Sequence, residues 1–164
     1  MAKKLYLASP FGFSEAGKYF MYDKLVPAIE SQGFQVLDPW KLTDEKYIQK
    51  VLSMPEGRKK IQALEEMNFK IGQNNEKAIL ESSGIVAVLD GSDLDSGVAG
   101  EIGFGAAKGR KTLGYRNDFR LTGENLGSKV NLQIAYFIES RGGVIVANLE
   151  QVREKLVPMF GNPR

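Results

Sequence analysis

Residues 90–105, DGSDLDSGVAGEIGFG, place three aspartates and one glutamate in a stretch rich in glycine and alanine. Carboxylates gathered like this either bind a cation or divide acid and base roles between unlike environments. Turn formation and helix capping, which aspartate and serine perform routinely, account for Asp90, Asp93 and Asp95 equally well. Glu101 falls about one turn inside the helix that these small residues predict. A helix there holds its carboxylate rigidly, close enough to the N-terminal end to feel some positive potential. The other reading is a solvated charge on an outer helix face. Gly97, Gly100 and Gly103 recur every third residue, and each costs about 1 kcal/mol against alanine in a helix interior. Their spacing therefore predicts close backbone approach to a strand, a ligand or another subunit.

The remaining inventory narrows the chemistry. The chain has no cysteine and no histidine, so thiolate chemistry, imidazole bases and the usual cysteine or histidine zinc sites are excluded. Acid and base work falls to carboxylates, tyrosine, lysine or water. Twenty-two basic against 20 acidic residues leave a net charge of +2, which gives no electrostatic case for nucleic acid or an anionic membrane. Neither G-x-G-x-x-G directly after a strand nor a P-loop is present. The N-terminal MAKKLYLASPFGF suits neither a signal peptide nor a membrane span, and a cytoplasmic location is expected.

These residues need elements to position them. Short apolar runs at 4–8, 34–37, 85–89, 112–115 and 144–146 predict strands, of which IVAVL at 85–89 is the clearest. Helices are expected from Ser14 or Glu15 to Gly33, over 97–109, 130–140 and 149–157, and as one long or two shorter segments after the Met54–Gly57 break. With 164 residues, the alternation predicts one domain over 1–164. Its class is α/β: a Rossmann-like, flavodoxin-like, five-stranded parallel sheet with helices on both faces. Ligands of such sheets gather beyond the carboxyl ends of the strands. The segments SPFGF, Asp90 to Asp95 and Arg116-Asn117-Asp118 all follow predicted strands. An internal salt bridge is the default for YRNDFR at 115–120, and Trp40 either caps a pocket or is buried at a subunit contact.

The stretch DGSDLDSGVAGEIGFGAAKGRK resembles the signature of the nucleoside 2-deoxyribosyltransferases. LYLASPFGFSE is similar to that family's first strand and loop, YRNDFR to its segment after the fourth strand, and VNLQI with RGGVIV to its C-terminal part. Residues from about Trp40 to Ile71 have no placed counterpart. The resemblance implies a cofactor-free and metal-free enzyme that moves 2-deoxyribose between nucleobases. It makes Glu101 the nucleophile at the anomeric carbon, Asp95 the group assisting proton transfer to the leaving base, and Tyr6 the residue orienting the nucleophile. Asn131 is implied to reach the sugar hydroxyls of a neighbouring subunit's site, which makes the protein a homo-oligomer. Asn75 stands where several members carry an aspartate for the sugar 5-hydroxyl.

Phe11 and Phe13 are candidate walls for a planar base, with core packing as the alternative. Asp90 and Gly97 complete the expected substrate contacts, small residues letting a sugar approach the carboxylate. Deoxynucleosides and free nucleobases are the expected partners. Hydrolysis of a nucleoside or deoxynucleotide, or nucleotide sensing without turnover, are the other functions weighed.

Overall fold

The computed structural model describes residues 2–163. Five strands, β1 (Lys4–Ala8), β2 (Gln35–Leu37), β3 (Gly84–Val88), β4 (Thr112–Tyr115) and β5 (Val144–Val146), form one parallel sheet in the order β2-β1-β3-β4-β5. Strand order reverses between β1 and β3, which pair from Leu5↔Gly84 to Ala8↔Ala87. A crevice opens at the carboxyl ends of strands where the order reverses in this way.

The period-two alternation of each strand divides its side chains between two cores. Leu5, Leu7, Val86, Val88, Leu113 and Tyr115 face one side. There they meet α1 (Glu15–Phe20), a π turn (Met21–Leu25), α2 (Val26–Glu30) and α7 (Leu149–Phe160). Tyr6, Ala8, Ile85, Ala87 and Leu89 face the other side, covered by α4 (Arg58–Glu81), α5 (Ser96–Ala107) and α6 (Leu132–Glu139). A short α3 (Glu45–Leu52) packs beside α4.

All five strands and both helical layers follow the sequence pattern, with local shifts. The first helix is interrupted by the π turn, where the Val26 N–H reaches back to the Met21 carbonyl. Pro27, with no N–H of its own, follows at once. The segment after the Met54–Gly57 break is one helix of 24 residues. Helix α7 runs past Pro158 to Phe160, because Phe160 is buried against Phe34 with ring centroids 6.3 Å apart.

The expected stripe of close-approach glycines is corrected by the packing. A Cβ on Gly100 would meet nothing within 4 Å, and one on Gly103 would make only ordinary contact with Phe137 at 3.5 Å. The tight position is Gly105, where a Cβ would lie 2.3 Å from the end of Ile85. Helix α5 therefore leans on β3 near its last turn; near its first, Gly100 is open, and a Cβ on Gly97 would come 3.0 Å from the Asp95 carboxylate.

Candidate active site

Ser9 after β1, Pro39 and Trp40 after β2, and Asp95, Gly97 and Glu101 after β3 converge on one cavity of about 520 Å³ at the switch point. That volume lies within the range of small-molecule sites. Its far side is closed by Thr43, Ile48 and Ile71 from the segment containing α3 and α4.

Glu101 is fixed from two elements. The Tyr6 hydroxyl, on a side chain with no solvent exposure in the middle of β1, donates to Glu101 Oε1 at 2.5 Å. The Asn75 amide, from α4, reaches the same oxygen at 3.5 Å. Burial pushes the Glu101 carboxyl up to about 7, the Tyr6 hydrogen bond opposes this, and the charge of Asp95 adds to it. The phenol of Tyr6 is driven well above its ordinary range by burial, and then by the charge and hydrogen bond of Glu101. Tyr6 therefore stays protonated and keeps its O–H available to donate to Glu101. Asn75 Oδ1 is buried without a hydrogen-bond partner among the described residues, an acceptor of the kind a bound hydroxyl satisfies.

Asp95 performs the capping role that the sequence offered and also stands at the cavity. Its Oδ1 accepts from the Val98 N–H at 2.9 Å as the N-cap of α5, and its side chain also lines the cavity. One helix thus carries two carboxyl groups six positions apart, one at its cap and one a turn inside. Two carboxyl groups at one cavity are the arrangement in which one can attack or stabilise positive charge while the other handles a proton.

Gly97 and Phe13 also line the cavity. Phe11 does not: it packs edge-on against Phe20 at 5.6 Å, on the core face opposite Glu101. The cause is the 3-10 turn Pro10–Phe13, in which residues two apart diverge instead of sharing a face. Asp90 also lies outside the cavity lining. Its Oδ1 accepts from the backbone N–H groups of Asn117 at 2.6 Å and Asp118 at 2.8 Å, so it ties the β3–α5 loop to the loop after β4. Arg116, only 6% exposed, ties the same loops in the reverse sense by donating to the carbonyls of Leu89, Gly91 and Arg120. The internal salt bridge expected for YRNDFR forms between Asp118 and Arg120, with Nε to Oδ1 at 2.9 Å.

Asn131 caps α6, accepting from the N–H groups of Gln133 and Ile134, while its own amide donates to Glu124 at 2.6 Å. It does not line the cavity of its own chain. The wall residues Thr43, Ile48, Asn68 and Ile71 escape sequence reasoning, because helical spacing does not say which face a crevice on the far side of the sheet will use. Among the described residues no cluster of three or more metal-ligating side chains is present, and no helix is long and apolar enough to cross a membrane.

The family model for nucleoside 2-deoxyribosyltransferases matches residues 5–133, from β1 through the cap of α6. The chain belongs to that family. It is accordingly an enzyme of the nucleoside deoxyribosyltransferase type. Among solved structures, a conserved protein of Enterococcus faecalis V583 is 26% identical with a TM-score of 0.64, over 96% of this chain and 99% of that one. The 2-desoxiribosyltransferase of Leishmania mexicana is 19% identical with a TM-score of 0.64, over 95% and 97% of the two chains. A CMP N-glycosidase of Clostridium botulinum is 17% identical with a TM-score of 0.56, over 94% and 98%. The last two likenesses are of fold. No curated protein sequence matches the chain.

Proposed function

We propose that this family member transfers 2-deoxyribose between nucleobases by a retaining double displacement. Glu101 attacks the anomeric carbon of a 2'-deoxynucleoside and forms a deoxyribosyl ester as the bond to the base breaks. Asp95 delivers a proton to the departing base. A second base then attacks the same carbon and passes its N–H proton to Asp95, Glu101 leaves as a carboxylate, and the sugar regains its original configuration. Tyr6 holds the attacking oxygen in place, and Asn75 Oδ1 accepts from a sugar hydroxyl. The observation that carries this reading is the pairing in one cavity of a buried carboxylate gripped by Tyr6 at 2.5 Å with a second carboxyl on the same helix. No imidazole and no metal enters any step.

The reading includes a homo-oligomer in which Asn131 completes a neighbour's site. It is supported by the position of Asn131 outside its own cavity and by the exposed Leu132 and Tyr136 that follow it on α6, 53% and 62% accessible. It places the enzyme in the cytoplasm, where free bases and deoxynucleosides meet.

Incubation with deoxyinosine and free adenine tests the reaction. Deoxyadenosine is the expected product. Deoxyribose alone would establish hydrolysis instead, and binding without product would leave a nucleotide sensor. A 2-fluorinated substrate analogue is expected to label Glu101, and attachment elsewhere overturns the covalent mechanism.

A further inference from the structure

The mouth of the cavity carries an aromatic face that no motif marks. Trp40 stands on the 3-10 turn Pro39–Lys41 after β2 and lines the cavity with 39% of its surface accessible. Four contacts fix it. Its backbone N–H donates to Asp38 Oδ1 at 3.1 Å and its indole Nε1 donates to the Ser9 carbonyl at 3.3 Å. The rings of Phe13 and Trp40 stand at right angles, with centroids 4.7 Å apart. The ring also lies directly over Gly12, where a Cβ would come within 2.0 Å of indole Cε2. Asp38 is itself buried and accepts from the Tyr22 hydroxyl at 3.0 Å, so the turn beneath the indole is anchored to the first helix. An aromatic ring left open to a cavity and immobilised on its other sides loses little freedom when a flat ligand lands on it.

Resting on the transfer reading above, the geometry points to Trp40 as the residue that receives the nucleobase by stacking, with Gly12 as the glycine that makes room for it. Phe13 serves as the contact that holds the indole square to the cavity. Choice among bases then falls to the other side chains of the cavity wall, Ile48 and Ile71 among them. Stacking on a fixed ring is tolerant of base identity, because every base offers a π-face. The site is therefore built to take more than one base, as an exchange reaction requires of its donor and acceptor.

Trp40 is the single tryptophan of the chain, so its emission reports the contact directly. Free adenine titrated into the protein, with excitation at the red edge of indole absorption, is expected to quench that emission saturably. Glu101→Ala is expected to keep the quench while losing turnover. Trp40→Ala is expected to raise KM for the acceptor base by roughly tenfold to a hundredfold with a smaller effect on kcat. Trp40→Phe recovers part of that loss, and Gly12→Ala reproduces it by displacing the indole. Turnover without any quench, or a Trp40→Ala enzyme with unchanged KM, overturns the stacking role and leaves the transferase reading standing. Quenching by adenine in a wild-type protein that makes neither deoxyadenosine nor deoxyribose keeps the platform and overturns the reaction. Absence of both overturns the two together.

Discussion

A carboxyl pushed up to about 7 by burial is divided between its two charge states near neutral pH. The proposed attack needs the charged state, so the acid limb of the kcat/KM pH-rate profile is expected to rise through an ionisation near 7. Tyr6→Phe removes the bond that favours the carboxylate. Its acid limb is expected to move to higher pH, with kcat down roughly tenfold to a hundredfold. The same burial sets a cost in stability. The folded pKa of about 7 lies above the ordinary 4.5, so the fold favours neutral Glu101; this contribution is complete below pH 4.5 and is lost as pH rises through 7. The gap of 2.5 units (7 minus 4.5) corresponds to up to about 3 kcal/mol. Glu101→Gln is therefore expected to lower turnover by about a thousandfold or more yet to resist urea better than wild type at pH 8, with the difference vanishing at pH 4. Glu101 was legible in the sequence because a carboxylate among glycines is an odd choice for a plain helix face. Phe11 and Phe13 were not separable, since only the 3-10 turn decides which of the two reaches the cavity.

Helix α5 shows how an element is legible in outline and not in contact. Its small residues and its capping aspartate mark where it starts, whereas which glycine meets the sheet depends on its tilt against β3. The spacing of 97, 100 and 103 pointed to the wrong one, and Gly105 bears the contact with Ile85. Because a Cβ at Gly100 meets nothing within 4 Å in the chain, Gly100→Ala is expected to stabilise the monomeric unit by about 1 kcal/mol in chemical denaturation. The clasp formed by Asp90 and Arg116 was half visible: both lie just after strands, and their types suit a ligand as well as a loop. Only the backbone groups that meet them, three carbonyls for Arg116 and two N–H groups for Asp90, assign them to holding the loop that leads into α5. Arg116→Met leaves those carbonyls, the one of buried Leu89 among them, without their donor and is expected to cost about 2 kcal/mol or more in the same measurement.

For the molecule as a whole, strand alternation and the absence of histidine gave the layer order and the class of chemistry, while the span after Trp40, as far as Ile71, gave no pattern from which its pocket residues stood out. The proposed assembly has a direct test. Asn131→Ala and Glu101→Gln enzymes, each inactive alone, are expected to regain up to about a quarter of wild-type sites when mixed under conditions that exchange subunits, since a hybrid pair holds one intact site of two. No recovery in a mixture shown to exchange would confine each site to one chain. The cavity draws its carboxyl groups from α5 and its cap, and much of its wall from the stretch between β2 and the middle of α4. Such a division makes the protein modular: transplanting that stretch from another member should redirect appetite for particular bases while the exchange step itself is inherited intact.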